Sequence, residues 1–291
     1  MKHAFLILAH NNFEVIKSLL HQLDDEDFDI YIHINARVKL FPKAELENSV
    51  TKARLFFVER FPIGYCDYSM VDGVKSLMKT ASEIYHDYYH LISGADMMIK
   101  TRKEFKEFFE KNQGMEFVGF SQDYQEDRVK YRNYFVAKCR QKSHWKSVFF
   151  IKLRKLLIEL QKKVHFVNHV SYEVKKGPDW YSITHEALVY ILEEEPAFMK
   201  CFYRSYCPTE FLAQTILWNS PFKKKLYKIE SKNENVACVR LIDWERGKPY
   251  IYKISDRIEI EKSAAMFARK FDEKTDMQIV TELRYINEKE K

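Results

Sequence analysis

A chain of 291 residues with 46% hydrophobic and 15% aromatic residues carries ample material for a buried core, which excludes a wholly disordered protein. Its 48 basic and 42 acidic residues leave a net charge of only +6, so it is not a generally basic, nucleic-acid-coating protein. Seven Gly and seven Pro are scattered without a linker or low-complexity tract, and the chain reads as one domain over residues 1–291.

Phe5 to Ala9 is a short continuous apolar run, as expected of a strand buried on both faces of a parallel sheet. It is too short for a signal-peptide core, and no later run approaches the roughly 18 apolar residues of a spanning helix. Phe13, Ile16, Leu19, Leu20 and Leu23 follow at helical spacing. Beyond the acidic stretch Asp24 to Asp29, Ile30 to Ile34 reads as a second strand and Leu55 to Val58 as a third. Val71, Val74, Met78 and Ala81 predict a helix, Tyr88 to Ile92 a fourth strand, Phe105, Phe108 and Phe109 another helix, and Phe117 to Phe120 another strand. Residues 1–120 thus read as an open α/β sheet forming a nucleotide-binding half.

Residues 121–291, the expected acceptor-binding and catalytic-base half, are more mixed. Helices are predicted near Trp145 to Gln161, Glu186 to Glu194 and Pro208 to Trp218, and strands near Trp180 to Thr184, Val236 to Trp244 and Tyr250 to Ile254. Nine Lys/Arg and one acid, Glu159, lie between Lys138 and Lys163, mixed with Trp145, Phe149, Phe150, Ile151, Leu153, Leu156 and Leu157. That pattern suits either an anionic membrane surface or a half-buried helix with a solvated basic face. The five Cys make no CxxC pair, which suggests reduced thiols in a cytoplasm and argues against zinc.

Open sheets bind ligands beyond the carboxyl ends of their strands, which singles out His10-Asn11-Asn12, His33-Ile34-Asn35 and Ser93-Gly94-Ala95-Asp96. The turn after the first strand lacks glycines and no GxxxxGK[ST] exists, so dinucleotide cradles and phosphate-loop NTPases are excluded. Asp25-Glu26-Asp27 imitates an Asp-x-Asp metal clamp but precedes a strand, and a solvated acidic loop is the better reading.

Five segments, in order, carry a resemblance: Tyr65-Cys66-Asp67-Tyr68-Ser69, the run from Tyr88 to Lys100, Gly177-Pro178-Asp179-Trp180, Pro208-Thr209-Glu210, and Phe267-Ala268-Arg269-Lys270-Phe271-Asp272. Together they resemble the core-2/I-branching β-1,6-N-acetylglucosaminyltransferases, a family that includes peptide O-xylosyltransferases, in its bacterial branch. The resemblance implies a GT-A-type glycosyltransferase fold, an open and mostly parallel sheet flanked by helices. It also implies an inverting transfer from a UDP-sugar, GlcNAc or xylose, to a glycan hydroxyl in surface-glycan assembly. No cofactor and no divalent metal are expected.

By the same resemblance Glu210 is the general base, Lys270 binds the donor diphosphate with help from Lys253 or Lys248, and Trp244 lies near the acceptor. Arg269 sits beside Lys270 between two Phe, close to apolar surface where a charge is poorly screened. His10, Asn11, Asn35 and Asp96 are candidate donor contacts, and Tyr65, Asp179, Trp180 and Trp244 candidate substrate contacts. Asp96 either meets the sugar or bonds its own turn, and Trp180 and Trp244 either stack on sugars or belong to the core. Asn35 stands where relatives carry an Asp, and Pro178 where a Ser is common. Expected partners are the UDP-sugar and a glycan acceptor, lipid-linked in the fullest reading, with peripheral contact at the inner face of a bacterial plasma membrane and no nucleic acid. The rivals are a non-catalytic acidic-polymer or nucleic-acid binder and a degenerate transferase that retains UDP binding.

Overall fold

The structure, a computed structural model, describes residues 1–122, 126–140 and 143–288. In chain order its elements are β1 (His3–Ala9), α1 (Phe13–Gln22), β2 (Phe28–Ile34), α2 (Lys43–Glu47), β3 (Arg54–Phe57), α3 (Ser69–Ser82), β4 (Tyr88–Ser93), β5 (Asp96–Met98) and α4 (Arg102–Lys111). There follow α5 (Asp127–Lys130), α6 (His144–Lys163), β6 (Ser182–Thr184), α7 (His185–Phe202), α8 (Thr209–Trp218), α9 (Glu234–Ala237), β7 (Arg240–Ile242), α10 (Arg257–Lys262), β8 (Phe267–Arg269) and α11 (Met277–Arg284).

The main sheet has the order β3-β2-β1-β4-β6, parallel throughout except for β6, which runs antiparallel to β4. β1 is central, and its side chains alternate between two cores. Phe5 and Ile7 join Phe28, Ile30, Phe105 and Ile279 on one face, while Ala4 and Leu6 join Tyr31, Val74, Leu91 and Phe211 on the other. Burial on both faces is why β1 reads as an unbroken apolar run rather than an alternating one. The helix α4 begins at a capping box in which Thr101 and Glu104 satisfy each other's exposed amides.

A second sheet, β5-β8-β7, lies beyond the carboxyl end of β4. The two sheets are joined by Arg240, a buried guanidinium that donates to the carbonyls of Cys238 and Tyr181 at 2.8 and 3.1 Å and lies 4.4 Å from the Phe267 ring centroid. A buried cation is tolerable there because carbonyl oxygens replace its water.

Several expected elements differ. Phe117 to Phe120 forms no strand; Glu116 and Phe117 make single bridges to Leu226 and Ser182, and the chain then turns into close contact with Gly177. Val236 to Trp244 divides into α9 and β7 because the Asn233 side chain caps a helical turn by accepting from Asn235 N. Tyr250 to Ile254 is extended only briefly, where Tyr252 N donates to Lys270 O at 2.9 Å, before a 3-10 turn at Ile254–Asp256. The helix predicted to end at Glu194 continues through Pro196 to Phe202, driven by burial of Phe198 and Phe202. The short strands β5 and β8 were not expected.

The cysteine reading is corrected as well. Cys66 and Cys207 form a disulfide across 141 residues of chain, while Cys139, Cys201 and Cys238 are free. The argument from unpaired thiols to a cytoplasmic location therefore loses its basis.

Candidate active site

The carboxyl ends of β1, β2 and β4 are adjacent by register, with Ala9 opposite Ile34 and Leu8 opposite Ser93. His10 leaves this edge exposed, and Asn12 in the next turn adopts left-handed geometry and donates from Nδ2 to Phe271 O at 3.3 Å. Phe271 N in turn donates to Ala95 O at 2.9 Å. These bonds bring Lys270 to the strand ends. The His10 imidazole titrates below its ordinary value, first because neighbouring atoms displace part of the water around its ring and then through the positive charges of Lys270 and Arg140. The Arg140 guanidinium lies 4.5 Å from the Tyr65 ring centroid, so Tyr65, Arg140, His10 and Lys270 form one cationic rim.

Next to this rim, the pairing of β5 with β8 sets Asp96 opposite Arg269. Asp96 is buried and accepts from Ser93 N at 2.8 Å and Ser93 Oγ at 2.9 Å, with Arg269 Nη1 3.6 Å from its Oδ1. Its carboxylate is thus directed at its own turn and at Arg269. The Arg269 guanidinium stacks 4.3 Å from the Trp180 ring centroid, which carries the cluster to Asp179.

Glu210 lies in the first turn of α8, where a helix amino terminus favours negative charge. Its Oε2 accepts from Arg128 Nη2 at 2.7 Å and lies 3.4 Å from Lys176 Nζ. Oε1 makes no hydrogen bond among the described residues. The backbone is anchored too, with Gly177 N donating to Glu210 O at 2.9 Å. A side chain at Gly177 is excluded, since a Cβ there would stand 1.9 Å from Gly119 O. Asp179 has a buried Oδ1 without a hydrogen-bond partner among the described residues. Its carboxyl is pushed up to about 6, by burial first and by the Glu210 charge second, against the opposing pull of Arg269 and Arg128. The disulfide ties Cys207, three residues before Glu210, to the turn that carries Tyr65.

A family model described as Core-2/I-branching enzyme matches residues 3–266. The chain belongs to the Core-2/I-branching enzyme family. It is accordingly a glycosyltransferase, and its mostly parallel sheet flanked by helices is the GT-A-type arrangement expected from the sequence. Among solved structures it is similar to mouse xyloside xylosyltransferase 1 in its apo form, at 10% identity and TM-score 0.39, over 92% of this chain and 96% of that one. It is also similar to a putative glucose-1-phosphate thymidylyltransferase from Bacillus anthracis in complex with a sucrose, at 13% identity and TM-score 0.31, over 69% and 78% of the two chains. No curated protein matches it.

In this Core-2/I-branching enzyme the predicted residues fall into three sets. His10, Lys270 and Tyr65 share the rim, and Asp96, Arg269, Trp180, Asp179 and Glu210 form a connected cluster. Lys253 and Trp244 are exposed; Trp244 stands two residues past Ile242, which pairs with Arg269, and Lys253 follows Tyr252, which bonds Lys270. Asn11 is exposed, and Asn35 spends its amide on backbone, donating to Ile63 O on the neighbouring segment at 3.0 Å and accepting from Arg37 N in its own turn at 3.0 Å. His33, by contrast, is fully buried, receives Phe61 N at 3.3 Å, and is held down to about 4 by burial. The Asp25-Glu26-Asp27 loop is bound to Lys106, at 2.7 Å from Asp25 and 2.8 Å from Asp27. Among the described residues no group of three or more His, Cys, Asp or Glu is arranged to hold a metal ion.

Arg128, Lys176 and Arg140 were not singled out from the sequence as site residues, whereas Asn12 belongs to the strand-end turn that was. Lys176 adjoins the Gly177-Pro178 motif, so adjacency was an available signal for it. Arg128 lies in a polar stretch with no motif and Arg140 at the start of the basic stretch from Lys138 to Lys163, and only the fold brings them to the site.

Proposed function

We propose that this glycosyltransferase moves a sugar from a UDP-sugar, UDP-N-acetylglucosamine or UDP-xylose, to a glycan hydroxyl with inversion and without a catalytic metal. The reading rests on Glu210: Arg128 and Lys176 pin Oε2, while Oε1 is left to take a proton. The acceptor oxygen attacks the anomeric carbon as the bond from that carbon to the diphosphate breaks, the hydroxyl proton passes to Glu210, and UDP departs. Lys270, with Lys253 near it in the chain path and Arg269 beside it, offsets the negative charge that builds on UDP. Trp180, Asp179, Tyr65 and Trp244 bound the sugar sites in this reading.

Two measurements test it. A UDP-specific rise in unfolding temperature that persists in EDTA is expected, and its absence, or its dependence on added divalent ion, refutes the metal-free claim. Glu210→Gln should lower turnover by about 10²–10⁴ while UDP still binds; wild-type turnover in that variant removes Glu210 as the base.

A further inference from the structure

α6 is a twenty-residue helix, about 30 Å long, and Ile158 is its only buried residue among those described. Its inner side is fixed by Arg154, which donates to Asn133 Oδ1 at 2.7 Å and lies 4.7 Å from the Tyr206 ring centroid. The opposite side is not the solvated polar face that a surface helix ordinarily presents. Trp145, Phe149, Leu156 and Leu160 are 68%, 55%, 56% and 47% exposed, and their spacing of four, seven and four residues aligns them in one outward apolar stripe. Val164 and Val167, past the helix end, are 72% and 52% exposed. Large apolar side chains in a row are a contact surface more often than an accident of composition.

The charges around the stripe say what kind of surface it meets. Lys146, Lys152, Lys155 and Lys163 are exposed, and none is in an ion pair among the described residues. The single acid of the helix, Glu159, is paired with Lys162 at 3.0 Å. An apolar stripe with a Trp at one end and unpaired lysines along both flanks matches the boundary between headgroups and acyl chains of an anionic bilayer. The lysines recur too often for the helix to cross, and no helix among the described residues is long and apolar enough to span a membrane.

We infer that the outward face of α6 is a docking surface for an anionic lipid bilayer, with the helix lying in the plane of the interface. Trp145, Phe149, Leu156 and Leu160 enter the apolar boundary, and the four lysines engage lipid phosphates. The surface stands on its own geometry and does not depend on the transferase reading. Its placement does have a consequence, because Arg154 packs on Tyr206, whose carbonyl accepts from the same Arg128 that holds Glu210. A glycan carried on a membrane lipid would thereby be presented close to that carboxylate.

Flotation of the full chain with phosphatidylcholine vesicles, and with vesicles that also contain phosphatidylglycerol, tests the inference. Recovery with the anionic vesicles alone is expected, reduced by salt. Two variants separate the contributions: Trp145→Glu with Phe149→Glu removes the apolar entry, and Lys146, Lys152, Lys155 and Lys163→Gln retains the stripe but removes charge. Each lysine should account for roughly fivefold in partitioning, so the quadruple variant should lose all measurable recovery. Because all six positions are exposed, unfolding temperatures should match the wild type and report that the variants are folded. Equal recovery with neutral and anionic vesicles, undiminished flotation of either folded variant, or self-association of the soluble protein that Trp145→Glu abolishes would each overturn the proposal, the last by assigning the face to a second copy of the chain.

Discussion

Replacing Asp179 by Asn isolates the electrostatic cost of placing two carboxylates in one site. Folding takes the Asp179 carboxyl from 3.8 to about 6 because its Oδ1 is shut away from water and Glu210 is charged nearby. A raised carboxyl pKa means that the folded state prefers the proton. The stability associated with Asp179 is therefore complete below about pH 4 and is lost as the pH rises through about 6. The loss is on the order of 3 kcal/mol, from roughly 1.36 kcal/mol per pKa unit. Asn keeps the shape without the charge. Urea unfolding of wild type and Asp179→Asn at pH 4 and pH 8 should show near equality at the lower pH and a variant more stable by about 2–3 kcal/mol at the higher. Taking the difference between the two proteins cancels every titration that they share. If that difference is the same at both pH values, Asp179 is ionised at no cost, and the account of a strained carboxylate pair fails.

Lys270→Ala should weaken UDP binding by roughly tenfold to a hundredfold in EDTA, measured by calorimetry, because a charge-assisted contact to phosphate is removed; unchanged affinity would move the diphosphate elsewhere. Cys66→Ser should lower stability by about 2–4 kcal/mol in non-reducing buffer, since the link closes a long loop, and excess reductant should bring the two proteins together. Gly177→Ala should cost about 2–4 kcal/mol in urea unfolding and lower turnover as well, because the backbone that must move to clear Gly119 O also donates to Glu210 O.

The elements legible from the sequence are those whose burial is symmetrical and whose partners are near. β1, β2 and β4 are apolar runs flanked by helices with clear periodicity, so strand, helix and order follow from local pattern. β5 and β8 have only three residues each, and β5 exists because it pairs with β8 across more than 160 residues, which no local window contains. The Cys66–Cys207 link has the same character, and composition pointed the wrong way because three other cysteines are free. Within the site, motif residues such as Lys270 and Glu210 were readable, but the partners that decide their state were not. Arg128 reaches Glu210 from a stretch without pattern, and Asn35 is withdrawn from the ligand side by Ile63, which a sequence cannot foretell.

In the proposed transfer, Arg269 and Lys270 differ in the anions that already lie beside them. Arg269 ends β8 opposite Asp96 and lies between that carboxylate, 3.6 Å from Nη1, and the Trp180 ring, with Nε and Nη1 buried without a hydrogen-bond partner among the described residues. Lys270, one residue past β8, lies near enough to His10 for its charge to hold that imidazole down. It is in no ion pair among the described residues. A departing diphosphate interacts most strongly with a cation that has no competing anion and whose position is already fixed, since no reorganisation is then needed at the moment of reaction. The two backbone bonds between Lys270 and the Tyr250–Tyr252 segment provide that fixation, and Arg269, held by Asp96 and Trp180, anchors the strand from which Lys270 projects.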